Sequence, residues 1–158
     1  MTQITIEYMI MIPILIMQIF LFPLTTGIIM NSWVDARRTL ALQETASHLG
    51  SSMQQLYSSL NHDSISAGNV TNRLNTPPFI EGYAYTGTAA LRNASDLNAA
   101  RILDVNLRLV GTSIETTSSV TLGNNVLWGN TTLMSNSTSA GISAEKLQNG
   151  TIRLAFTS

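Results

Sequence analysis

The sequence predicts an α+β fold: a long N-terminal α-helix, apolar in its first half and amphipathic in its second, packed on a C-terminal antiparallel β domain. Three observations predict it. No charged residue occurs between Glu7 and Asp35. Leu42, Ala46, Leu49, Met53, Leu56 and Leu60 then recur at alternating intervals of four and three, the period of a helix with one buried face. From Ile80 onward apolar residues alternate with polar ones, the period of a half-buried strand. The resulting organisation is 1–34 as apolar helix, 35–62 as its amphipathic continuation, 63–79 as a loop and 80–158 as a β-rich domain.

The first element runs YMIMIPILIMQIFLFPLTTGIIMNSWV from Tyr8 to Val34, 27 residues without charge. A bilayer crossing takes roughly 20. A cleaved secretory signal needs a basic start, an apolar stretch of about 7–15 residues and a small-residue cleavage site. Here the start, MTQITIE, has no Lys or Arg, and the stretch is too long. Pro13 and Pro23 each remove one backbone hydrogen bond and favour a kink, and Gly27 adds a further weak point. Such breaks are tolerated where neighbouring helices satisfy the backbone. The simplest expectation is a slightly bent single span. Glu7 stands at its start, where a charge must lie at the interface or find a partner. Two readings fit: an acid favoured by the helix dipole after Thr5 as a cap, or a registry charge that pairs with a neighbouring subunit's amino group.

Beyond Asp35 the strong helix formers Ala, Leu, Gln, Glu and Met dominate, and Asn61 to Ser64 supplies a stop. The helix is expected from about residue 4 to about residue 61, roughly 85 Å if straight. A single span needs only about a third of that. The seam is expected to pack on the chain's own β domain, leaving other faces for neighbouring helices.

The β domain follows a Ser-, Asn- and Gly-rich stretch, 64–78, that ends at Pro77-Pro78. Ile80, Tyr83 and Tyr85 open a first extended segment. Ile102, Val105, Leu107 and Leu109 mark a strand with Asp104, Asn106 and Arg108 between them, broken by Gly111. Ile114, Thr116, Ser118, Val120 and Leu122 suggest the next, closed by Gly123-Asn124-Asn125, and Val126 to Leu133 another. Ile142 to Leu147 and Ile152 to Phe156 flank Asn149-Gly150, a strong hairpin signal. Five or six antiparallel strands are expected.

Composition excludes several classes of function. Only 11% of residues are charged, the net charge is −1, and Lys146 is the sole Lys, so no basic patch exists for nucleic acid. The absence of Cys removes disulfides and thiolate chemistry. His48 and His62 have no second His at metal spacing, and no carboxylate pair, phosphate loop or nucleophile elbow occurs. The chain is expected to be neither an enzyme nor a cofactor or metal protein. Five Asn-x-Ser/Thr sequons, at Asn69, Asn93, Asn130, Asn136 and Asn149, all follow the helix and fall in predicted loops or turns. They are candidate N-glycosylation sites.

The stretch QITIEYMIMIP resembles the start of type IV pilin-like proteins, especially archaeal ones. In that family a leader is removed just before the apolar helix, and a Glu falls at the fifth position of the mature chain. Counted from Gln3, Glu7 is the fifth residue, and the Gln-x-Thr-x-Glu order matches the class processed at a Gln. The interval from Glu7 to Pro13 also resembles the minor pseudopilins of tight-adherence systems. The family's basic residues and Gly before the cleavage site have no counterpart in Met1-Thr2. Two residues cannot be a leader, so the expectation is a chain already mature or one that is not cleaved.

The resemblance implies a structural subunit of an extracellular pilus-like filament serving surface adhesion or related roles. Its partners would be copies of itself, membrane lipid before assembly, a prepilin peptidase and assembly machinery. Glu7, Pro13 and Pro23 would be its assembly residues. Arg37 and Arg38 follow the apolar run, which by the positive-inside rule alone would put the β domain in the cytoplasm. Removal of a basic leader reverses that balance, and the uncharged Ser/Thr/Asn-rich surface favours the outside. The alternative is a monomeric, single-pass, membrane-anchored surface protein with a β binding domain, either a minor pilin or a ligand-binding module.

Overall fold

The computed structural model describes the backbone of residues 2–73, 75–92 and 99–158, and side chains from Tyr8 onward within them. It divides into two compact units, Met1–Arg37 and Arg38–Ser158. The fold is α+β. Helix α1, Thr2–Leu60, contributes to both units and runs through Pro13 and Pro23. It begins before Thr5, so Thr5 is an internal residue and not the cap that its hydroxyl suggested. Its end at Leu60 agrees with the stop read at Asn61 to Ser64.

The first unit is helical, and its described side chains are exposed from Tyr8 through Arg37. An all-round apolar helix has no polar face to turn to water.

The second unit contains α1 from Arg38 and eight strands: β1 Gly68–Arg73, β2 Tyr85–Arg92, β3 Arg101–Leu109, β4 Glu115–Leu122, β5 Val126–Trp128, β6 Leu133–Met134, β7 Gly141–Lys146 and β8 Ile152–Thr157. They form two four-stranded sheets, β1-β7-β8-β5 and β4-β3-β2-β6. The seam Leu42, Ala46, Leu49, Met53, Leu56 and Leu60 is buried in one core with Leu103, Val105, Leu107, Leu109, Ile142, Ile152 and Leu154 from both sheets. Burying each Leu or Ile side chain stabilises the unit by about 1.5–3 kcal/mol.

Four features differ from the sequence expectations. Gly68–Arg73 forms β1 inside the stretch read as a loop. Every residue of β1 is exposed, so the strand has no buried face to leave a period in the sequence; it is held by antiparallel pairing with β7. In β3 the inward set is Leu103, Val105, Leu107 and Leu109, and Ile102 lies on the other face with Asp104 and Asn106. The segment from Val126 to Leu133 is two strands in different sheets, β5 beside β8 and β6 beside β2. Asn130, at φ 50, turns the chain between them. Finally, β5 and β8 are parallel, an exception in otherwise antiparallel sheets.

Turns follow their residues. Glu81 at φ 48 and Gly82 at φ 85 join the paired residues Ile80 and Tyr83. Positive φ at both central positions is the primed hairpin turn. At the last hairpin the Gly150 amide donates to the Leu147 carbonyl, the Leu147 amide donates to the Thr151 carbonyl, and Gly150 takes φ 81. This is a three-residue loop with glycine at the left-handed position.

Two polar residues tie the end of α1 to the sheets. Asn125, between β4 and β5, accepts from the Tyr57 hydroxyl at 2.8 Å. Its amide nitrogen donates to the Asn61 side-chain oxygen at 3.0 Å and to the Gly150 carbonyl at 2.9 Å. Lys146 of β7, nearly buried, donates to the His62 carbonyl at 3.0 Å, a cation placed just past a helix C-terminus.

Gly50 sets how closely α1 approaches β4: a Cβ there would stand 2.6 Å from Cγ2 of Val120. Gly50→Ala should gain about 1 kcal/mol of helix propensity yet lower the net stability by about 1–2 kcal/mol through overpacking. Chemical denaturation checks this; a variant as stable as the parent would contradict the close approach.

Candidate membrane and assembly surface

The apolar surface of α1 is built from large side chains. Met9, Phe20, Phe22, Leu24 and Ile28 are all more than half exposed, and no part of the first unit covers them. Among the described residues α1 is the one helix long and apolar enough to cross a membrane, by length and composition.

Its few polar groups divide by partner. Thr25 Oγ1 donates within 3.0 Å of the Leu21 and Phe22 carbonyls, and Thr26 Oγ1 donates to the Phe22 carbonyl at 2.8 Å. Hydroxyls bonded back to their own helix expose little unsatisfied polarity to hydrocarbon. Leu21 and Phe22 immediately precede Pro23, whose missing N–H interrupts the backbone ladder at the Ile19 carbonyl. Tyr8 and Trp33, both exposed, bracket the run. They are 25 residues apart, about 38 Å of helix axis. That separation matches a hydrocarbon layer about 30 Å thick with one amphipathic ring near each interface. Sequence reading overlooked this pair; aromatic residues at both ends of an uncharged run are the signal that finds it.

Pro13 and Pro23 are both exposed on this helix, ten residues apart. Glu7 lies in its second turn, and its side chain falls outside the described residues, so neither the dipole reading nor the registry reading gains geometry.

The sequon residues occupy the second unit. Asn69, Asn130, Asn136 and Asn149 are exposed, and Asn93 lies outside the described residues. Asn69 sits within β1, not in a loop, at an edge of its sheet. Asn149 Oδ1 accepts the Thr151 amide at 3.0 Å, so its turn is held by its own side chain.

The remaining polar chemistry is dispersed. No group of three or more His, Asp or Glu side chains that could hold a metal occurs among the described residues. Tyr85 is buried, which pushes its phenol pKa up, opposed by the hydrogen bond with Thr76. On the outward face of β3, Asp104 accepts from the Ser119 hydroxyl at 2.6 Å and from Arg92 Nη2 at 2.9 and 3.1 Å. The Ser119 bond, then the Arg92 bonds, hold its carboxyl below the ordinary value of 3.8. Among the described residues it belongs to no metal-binding group, and its bonds to Arg92 and Ser119 cross-brace β2, β3 and β4 on their outward face.

Comparison with protein-family models, with curated proteins and with solved structures gives no match.

Because Asp104 has a lower pKa folded than unfolded, its contribution to stability is complete above the unfolded value and lost as pH falls through the folded one. Between about pH 5 and pH 2 the parent chain should lose more thermal stability than Asp104→Asn. Parallel losses in the two chains would contradict this linkage.

Proposed function

We propose that this chain is the structural subunit of an extracellular type IV pilus-like filament and polymerises through its N-terminal helix. One observation carries the reading: between Tyr8 and Val34 the helix is uncharged and exposes apolar side chains on every side. Such a surface needs a water-free surrounding at every stage of the protein's life. Lipid supplies it before assembly and sister helices supply it afterwards. The resemblance of QITIEYMIMIP to pilin-like starts names the kind of polymer.

The transfer from lipid to a helical bundle buries apolar surface in both states, so the hydrophobic effect contributes little to its direction. Packing shape and the few polar groups decide register. Glu7 is the residue whose misplacement costs most, because a charge left unpaired in a low-dielectric core is strongly unfavourable. The β unit faces outward, supplies adhesive and inter-subunit surface, and carries glycans on its exposed sequons. A prepilin peptidase and an assembly machinery act on the subunit before it polymerises.

Glu7→Ala should reduce the yield of sheared filaments by about tenfold or more, since the amino group it faces would be left buried without a partner. Circular dichroism and thermal melting of the β unit should be unchanged. Normal filament yield from this variant would refute the registry role, and the chain found solely as an inserted monomer would favour the anchored surface-protein reading.

A further inference from the structure

We propose that Gln18 is a self-association residue, donating a hydrogen bond from its side-chain amide to the Ile19 carbonyl of a second copy of this chain within the membrane. The inference rests on the membrane-inserted reading above and adds a specific contact to it.

Gln18 is three residues from Leu21, the midpoint of the uncharged run 8–34. That is about 4.5 Å along the axis from the centre of the span. A side chain of this length cannot reach either interface from there, unlike a snorkelling Lys or Arg. Unlike Thr25 and Thr26, it makes no hydrogen bond among the described residues. An amide with two donors and an acceptor is left facing hydrocarbon, which can satisfy none of them.

The acceptor is created one residue away. Pro23 has no N–H, so the Ile19 carbonyl loses its partner four residues on. Gln18, Ile19 and Pro23 line one groove of the helix surface together with Leu15, Phe22 and Thr25. Donor and acceptor residues therefore border one shallow groove, open along its length to the side chains of a neighbour. Lipid fills the groove but cannot bond either group, whereas a second copy satisfies both. Copies inserted in one membrane share one orientation, so two parallel helices with no large stagger place Gln18 of each beside Ile19 of the other. A single polar residue in an apolar seam fixes register in this way.

The test uses the full chain in phosphatidylcholine vesicles. Because the protein has no Cys, donor and acceptor dyes can be attached through Ser158→Cys. Energy transfer is followed as lipid is added, with insertion verified by resistance to alkaline extraction. Gln18→Leu should weaken association by about three- to tenfold, the range for an interhelical hydrogen bond. Gln18→Asn, which keeps an amide, should retain more of it. Pro23→Ala returns a donor to Ile19 and should also weaken association, with the double variant no weaker than the worse single one. An inserted Gln18→Leu chain that associates like the parent overturns the inference while leaving the filament reading intact. A Pro23→Ala chain that does so overturns the assignment of Ile19 as acceptor. A parent chain removed by alkali overturns the membrane reading, and this inference with it.

Discussion

Burial of one stripe of α1 is the constraint on which the second unit depends. Leu42, Ala46, Leu49, Met53, Leu56 and Leu60 share a core with the inner faces of both sheets. Strands β5 and β6 are two to three residues long and β1 buries nothing, so β2, β3, β4, β7 and β8 supply most of the sheets' share of that core. Gly50 lets the helix backbone come down onto β4, and Asn125 and Lys146 fix where the helix stops. The apolar stripe supplies the stability, and these polar contacts supply the alignment.

The helix was legible because its two halves write a run and a period into the sequence. An uncharged stretch marks residues 8–34, and an a/d seam marks the part that packs on strands; each seam residue is buried. Strands with a buried face were legible for the same reason, as in Thr116 to Leu122. β1 was not, because its order comes from ladder hydrogen bonds with β7, which constrain no side chain. The split of Val126 to Leu133 was hidden as well. Its apolar ends face a common core from different sheets, and the turn between them rests on one left-handed residue, Asn130. The offset at Ile102 shows how a β-branched residue on an outer face can imitate an inward one.

The candidate surface was legible in part. The run's length and lack of charge are sequence properties, whereas the distinction among its polar residues is structural. Thr25 and Thr26 are satisfied by their own helix, and Gln18 is not. On the proposed reading, hydrophobicity holds the helix out of water in the membrane and in the filament alike. Selection of register then falls to groups that hydrocarbon cannot satisfy: Glu7 near one end, and Gln18 with the carbonyl freed by Pro23 near the middle.

The central claim is that residues 8–34 leave lipid only to enter a polymer of this same chain. Electron microscopy of filaments sheared from the cell surface, with peptide identification of the purified fibres, tests it most directly. The account predicts that peptides from the 38–158 unit dominate those fibres. Fibres devoid of this chain, with the chain confined to the membrane fraction, would contradict it.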